Sequence, residues 1–369
     1  MKTMKAARMH EVGGPMKVEQ IPIPAPGPTD VLVNVKACGM VPNLGNVLAN
    51  WPKWFPHLPL PKLPAIFGLD PAGVVTEIGN QVFAFKPGDR VWVNPQRSCG
   101  GCRACRSNQR SKCKNFTYNG YFGFGPQSQR IWDAYPYGGF CEYMTAPQYA
   151  LVNLPDSVTY EQAARFGYLG TAHAALRNAR INPADTLLIN GITGTLGLGA
   201  LLNALAMGVV RILGTARNEE LLARARALAP GRIHTLSLGK RPVHEWANEV
   251  TGGAGVDVAV DCLGPGAAKE PMVQALESLK RGGRLVNVGA VMEPIPFDVH
   301  RVMDDQIQFI GSNWISTGEA QDMADMAGAG TLNLSVLEHH RYPLDDINTA
   351  LAQIKDRSGG FSNYVVIPG

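Results

Sequence analysis

The apolar run Thr186-Leu-Leu-Ile-Asn190 leads directly into Gly191-Ile-Thr193-Gly194-Thr195-Leu196-Gly197, and from there into Leu198–Met207. A run that short, bounded by glycine, reads as a buried strand, and the longer apolar stretch after it reads as a helix. Glycine is needed where backbone must lie against a phosphate. The start of a new helix offers unpaired N–H groups and a positive dipole end to the same anion. A glycine triplet alone equally describes an ordinary tight turn; one that follows a strand and opens a helix within a βαβ unit has the context of a dinucleotide-cradling loop.

The pattern continues downstream. Val209–Thr215, Val256–Cys262 and Arg284–Ala290 are short hydrophobic runs, with helical stretches Glu219–Leu228, Val243–Thr251 and Ala267–Lys280 between them. Strand and helix in alternation predict a parallel sheet with crossover helices. An Ala- and Leu-rich stretch, Thr159–Asn178, reads as one helix ahead of this unit. The segment before Pro155 has another texture. Lys17–Ile23 and Val31–Ala37 alternate apolar and polar side chains around a proline-rich connection that no helix interior accepts. Gly73–Ile78 and Arg90–Asn94 read as further strands, the second after a Lys86-Pro87-Gly88-Asp89 turn, so this half predicts a compact antiparallel barrel. Near the end, Asp346–Lys355 reads as a helix and Tyr364–Ile367 as a strand.

The strand after the glycine loop ends at Ala216-Arg217-Asn218. A carboxylate there would hold both ribose hydroxyls of NAD and repel the extra phosphate of NADP. The chain offers Ala216 and then a guanidinium that suits a 2′-phosphate, so NADP(H) is favoured over NAD(H).

Cys99, Cys102, Cys105 and Cys113 form a C-x2-C-x2-C-x7-C frame among seven cysteines in 369 residues. That spacing can close a tetrahedral thiolate cage around one structural Zn²⁺ with no position left open for catalysis. A [4Fe–4S] cluster is disfavoured by the ending C-x7-C-K, and two disulfides by the compartment read below. From Arg90 through Trp132 there is no Asp or Glu but eight cations: Arg90, Arg97, Arg103, Arg106, Arg110, Lys112, Lys114 and Arg130. Cations suit the net negative charge of a zinc tetrathiolate. The remaining composition is that of a globular chain with a large core, 45% apolar and 17% charged. A net charge of +4 is too small to argue for nucleic acid or a membrane surface. The start lacks an apolar signal segment, and the longest apolar run, Gly194–Val210, is interrupted by Asn203. The expectation is a cytoplasmic protein.

Together these features resemble the medium-chain dehydrogenase/reductase superfamily, specifically its zinc alcohol dehydrogenase branch. The likeness is carried by Cys38-Gly39-Met40, Gly68-Leu69-Asp70, Gly88-Asp89-Arg90-Val91, the four-cysteine lobe, Gly191–Gly197 and Gly311-Ser312. It implies an α/β fold with a GroES-like β-barrel catalytic domain over residues 1–155, carrying a zinc lobe at about 95–115. A Rossmann doubly wound domain over 156–303 follows, with Gly289 at the cofactor, and 304–369 returns to complete the catalytic domain. Hydride transfer between NAD(P)H and a carbonyl carbon is implied, in a homodimer or homotetramer. The resemblance also exposes a loss. Its catalytic zinc takes a cysteine from C-G-x-C-x-[ST]-D, the histidine of G-H-E, and a third ligand four residues before a threonine here matched by Thr171. Those places hold Val41, Leu69 and Gly167, none of which ligates zinc through a side chain. The relay hydroxyl position is Asn43. The glycine loop meanwhile is similar to that of the metal-free quinone oxidoreductase and enoyl reductase branches.

Without a Lewis acid, charge on the substrate oxygen needs a hydrogen-bond donor or a proton. Tyr168, Asn43 and Asp70 inherit places around the vacated position and are the candidate catalytic residues. Each also has a purely structural reading: a packed phenol, a turn residue after Pro42, a carboxylate capping the turn at Pro71. The stretch Trp51–His57, with Tyr118, Tyr121, Phe122 and Phe124, reads either as the wall of a bulky apolar substrate site or as loops packing their own rings. His173 reads as a packed helix residue, and His339-His340 as solvent-facing. Three functions stay open: an NADP(H)-dependent carbonyl reductase or alcohol dehydrogenase without catalytic zinc, an NADPH-dependent reductase of enones or quinones, and an idle NADP(H)-binding protein.

Overall fold

The computed structural model describes residues 2–42, 44–356 and 358–369. Thr186–Asn190 is the first strand of a six-stranded, all-parallel sheet. The sheet runs Ile233–Ser237, Arg211–Ala216, Thr186–Asn190, Val256–Asp261, Leu279–Asn287, Gln308–Gly311. In chain order that is 3-2-1-4-5-6, the doubly wound dinucleotide-binding arrangement, whose direction reverses between the first and fourth strands. Alternate side chains serve opposite faces. Leu187 and Ile189 join one core with Leu198, Leu201 and Leu202 of the helix Thr195–Ala206, whereas Leu188 joins another with Val243 and Trp246. Both faces are covered, which is why these strands read as continuous apolar runs.

The other half is built on Asp30–Gly39, which pairs antiparallel with Asp70–Ile78, Tyr143–Pro147 and Ser362–Ile367. The last strand therefore returns to the first half of the chain, with Val366 opposite Cys38 and Val365 opposite Gly39. A smaller sheet of Met16–Pro22, Thr3–Met9 and Ala65–Ile66 lies alongside. The cysteine lobe is an excursion closed at its base by a two-residue ladder, Gln96 and Arg97 against Tyr118 and Thr117.

Two elements depart from expectation. The stretch Thr159–Asn178 is two helices, Tyr160–Ala163 and Phe166–Asn178, broken at Ala164-Arg165. The break lies where strand and helix touch: a Cβ at Gly39 would stand 1.7 Å from the Ala164 carbonyl oxygen. The helix expected over Ala267–Lys280 is only Glu270–Glu277, because Pro271 fixes its first turn and Leu279 already begins a strand. Among the described residues no helix is long and apolar enough to cross a membrane.

Candidate functional site

The glycine loop lies at the carboxyl end of Thr186–Asn190, beside the reversal point of the sheet. The N–H groups of Gly191 and Ile192 both donate to the Thr215 carbonyl, at 2.9 and 3.0 Å, which pins the loop to the neighbouring strand. Gly191 adopts φ +76°, and a Cβ at Gly197 would stand 2.0 Å from the Gly191 oxygen. The helix can approach the loop that closely only with glycine at both places. Gly194 caps this helix, and among the described residues the buried Thr195 Oγ1 has no partner. A helix start of this kind presents N–H groups that suit an anion. Ala216 ends its strand buried, and Arg217 follows it exposed. Gly289 follows the strand Leu279–Asn287, and its N–H donates to the Asp261 carbonyl at 2.9 Å.

Two contributors here were missed in the sequence. Gly359-Gly360 closes against the loop, the Gly360 N–H donating to the Thr193 carbonyl at 2.8 Å. Asp261, at the end of its apolar strand, is fully buried; it accepts from Asn190 Nδ2 at 3.2 Å, and burial raises its carboxyl to about 6. An acid terminating the run Val256–Asp261 was the available signal; nothing local marks Gly359-Gly360.

Val41 and Leu69 are 5% and 4% exposed and belong to one apolar cluster with Trp51, Tyr118 and Tyr121. Tyr168, Phe122 and Trp314 pack against the same cluster. The helix Phe166–Asn178 brings Gly167 to Asp70, whose Oδ1 accepts the Gly167 N–H at 2.9 Å. A Cβ at residue 167 would stand 2.2 Å from that oxygen. The Asp70 carboxylate therefore fills the space a side chain at 167 would enter. Burial raises the Asp70 carboxyl to about 7, against the opposing pull of the Arg165 charge and the Gly167 N–H. Tyr168 follows on the helix and is half-buried. The Tyr118 and Tyr121 phenols are held well above their ordinary pKa, first by burial and then by Tyr168. Tyr118 donates to Asn313 Oδ1 at 3.0 Å. Asn43 lies outside the described residues.

The aromatic rings form one connected wall. Trp51 lies 5.6 Å from Tyr121 and 5.0 Å from Phe122, and Tyr118 lies 4.7 Å from Trp314. Trp314 was missed in the sequence because it joins from a segment nearly two hundred positions downstream; its indole donates to Asn94 Oδ1 at 2.9 Å. His57 is exposed. His173 is packed in the helix interface, its Nδ1 3.0 Å from Asn203 Oδ1. His339 corrects the solvent-facing expectation. It is half-buried, its Nδ1 3.0 Å from Asn363 Nδ2, while His340 is exposed and stacked on Tyr364.

The four lobe cysteines bring their Sγ atoms within 4.8 Å of one another, with Cys102–Cys105 and Cys99–Cys113 both at 3.5 Å. A tetrahedral ion with bonds of ~2.3 Å sets sulfur separations of roughly 3.8 Å, so the donor set fits zinc. The cysteines are free thiols, not disulfides. The Cys102 N–H, aimed at Cys99, leads the forces that bring that thiol down to about 6.

Comparison with known proteins agrees with this architecture. Residues 27–156 match the alcohol dehydrogenase GroES-like domain and residues 195–329 match the family described as zinc-binding dehydrogenase. An alcohol dehydrogenase of Geobacillus stearothermophilus is 30% identical over 354 residues, 94% of each chain. A sorbitol dehydrogenase of Bacillus subtilis is 30% identical over 309 residues, 84% of this chain and 81% of its own. The crystal structure of a thermostable alcohol dehydrogenase from Pyrobaculum aerophilum superposes with a TM-score of 0.77 at 25% identity, covering all of both chains. The chain belongs to the medium-chain dehydrogenase/reductase superfamily. Within it, the chain is an oxidoreductase of the alcohol dehydrogenase type.

Proposed function

We propose that the chain is an NADP(H)-dependent carbonyl reductase or alcohol dehydrogenase that works without a catalytic metal and keeps one structural zinc. The observation that carries this reading is the apolar filling of the metal position. Val41 and Leu69 are core side chains, and the place of a third ligand is a glycine whose space Asp70 occupies. The bound nicotinamide supplies or accepts hydride. Gly191, Thr193, Gly194, Thr195, Leu196 and Gly197 would hold its pyrophosphate, Ala216 and Arg217 its adenosine ribose, and Gly289 the nicotinamide side of the crevice. Tyr168 donates the proton or hydrogen bond that the substrate oxygen requires. It suits this because it keeps solvent access while Tyr118 and Tyr121 are buried and held neutral. The wall of Trp51, Tyr121, Phe122 and Trp314 favours a bulky, apolar substrate. The same apolar filling favours a second reading, reduction of enones or quinones, because a conjugated acceptor needs less activation at oxygen.

An NADPH-oxidation screen across ketones, aldehydes, enones and quinones tests both. Turnover of saturated carbonyls supports the first reading, and consumption limited to conjugated acceptors supports the second. No turnover of any class overturns both and leaves a nucleotide-binding protein. Metal analysis of the purified enzyme should find one zinc per chain; two would refute the account of Val41, Leu69 and Gly167. The Arg217→Asp variant should lower kcat/KM for NADPH by about 10- to 100-fold through loss of a charge-assisted phosphate contact, with NADH gaining relative to it. An unchanged NADPH/NADH ratio removes Arg217 from the cofactor site.

A further inference from the structure

Three fully buried polar side chains, Thr215, Asn190 and Asp261, form a rung across the parallel sheet near the carboxyl ends of its strands. Register sets them side by side, Asn190 opposite Thr215 on one flank and opposite Asp261 on the other. Thr215 Oγ1 donates to Asn190 Oδ1 at 2.9 Å. Asn190 Nδ2 donates to Asp261 Oδ1 at 3.2 Å and to the Pro271 carbonyl at 2.8 Å. The bond from Asn190 to Asp261 crosses the point where the sheet reverses direction, and doubly wound sheets take their ligands at that point. One position earlier on the same strands, Ile189 and Val260 are core side chains. An apolar rung would avoid the cost of desolvating an amide and a carboxyl. The polar rung does something an apolar one would not. Each member holds a loop through its backbone carbonyl: Thr215 accepts the N–H groups of Gly191 and Ile192, Asn190 that of Cys262 at 3.1 Å, and Asp261 those of Val288 and Gly289 at 3.1 and 2.9 Å. The side-chain bonds therefore tie together the anchors of the loops after the first, fourth and fifth strands. Asp261 is the branch point. A Cβ at Gly289 would stand 2.9 Å from its Oδ2 and 2.8 Å from the Leu263 nitrogen, so carboxyl, Leu263 and Gly289 close on one another with no room to spare.

We propose that Asp261 is a positioning residue for the dinucleotide, setting the spacing between the glycine loop and the loops after the fourth and fifth strands through Asn190 and Gly289. This role presupposes that Gly191–Gly197 cradle a nicotinamide dinucleotide. Loop spacing serves the pyrophosphate and nicotinamide, which NADPH and NADH share, whereas Arg217 serves the ribose at which they differ. Loss of the Asp261 carboxyl therefore weakens both dinucleotides by the same factor.

The test titrates zinc-loaded protein with NADPH and, separately, with NADH, read by the fluorescence of the reduced nicotinamide at a temperature well below the unfolding of every variant. Asp261→Ala should raise both dissociation constants about tenfold and leave their ratio unchanged. Asp261→Asn keeps an oxygen for the Asn190 amide and should recover most of that loss. Thr215→Val removes only the hydroxyl at the far end of the rung, so it serves even where Asp261→Ala fails to fold; it should raise both constants about threefold. A purely structural role would lower the thermal midpoints of these variants and leave the dissociation constants unmoved, and that result in whichever variants fold overturns the proposal alone. So does a weakening confined to NADPH, which would assign the effect to the 2′-phosphate end. Wild-type protein that binds neither dinucleotide overturns the reading of the glycine loop and the role of Asp261 with it.

Discussion

Replacing Tyr168 with Phe is expected to lower kcat by about 10²- to 10³-fold with little change in KM for NADPH. The expectation follows from the proposed metal-free reading and from what such a pocket would lack. As hydride reaches a carbonyl carbon, the oxygen becomes an alkoxide, and in a low-dielectric site that charge is tolerable only beside a donor. Val41 and Leu69 offer none, and Asp70 is already engaged by the Gly167 N–H. Tyr118 gives its proton to Asn313, and both it and Tyr121 are buried. Tyr168 packs on this same cluster yet remains half-exposed, so it can meet a substrate and recover its proton from solvent. The substitution removes one oxygen and leaves the ring packing in place, so circular dichroism and thermal midpoint should stay near wild type. Steady-state kinetics on the best substrate of the screen decides the matter. Full turnover in the Phe variant excludes the phenol as the essential donor and moves attention to Asn43.

Part of this site was legible in the chain and part was not, and the division has physical causes. The strand Thr186–Asn190 was readable to the residue because a strand buried on both faces has nothing but apolar positions between its turn signals. The cysteine cage was readable because metal geometry ties ligand spacing to local chain path. The helix break at Ala164-Arg165 was not, since it answers to Gly39, a residue on a strand far upstream. Trp314 and Gly359-Gly360 reach the site only because later segments fold back onto it. The helix Thr317–Gly328 went unread in the chain, although the reciprocal Ser316 and Glu319 capping box at its start is a local signal. The pairing of Asp70 with Gly167 lay between these cases. Each residue stood out as a departure from the family pattern, and only the fold shows that one departure makes room for the other.

That pairing leads to a pH effect whose sign is fixed. In an unfolded chain the Asp70 carboxyl ionises near 3.8, whereas burial in the folded protein holds it to about 7. Between those values the unfolded chain releases the proton and the folded one keeps it, so stability falls as pH rises; above 7 both forms are charged and the fall ends. Asp70→Asn keeps an oxygen for the Gly167 N–H and removes the ionisation. The variant should therefore gain on wild type between pH 5 and 7 by about 1.4 kcal/mol per pH unit, and the gap should then level. Taken over the whole interval from 3.8, the shift corresponds to on the order of 4 kcal/mol. Denaturant midpoints for both proteins, measured at half-unit steps from pH 5 to 8.5 with zinc present, check this directly, since other titrating groups cancel in the difference. A gap that is constant across the range would mean that Asp70 is ionised throughout, with Arg165 offsetting the whole cost of burial. A fixed negative charge beside Tyr168 would then count against that phenol as the partner of a developing alkoxide.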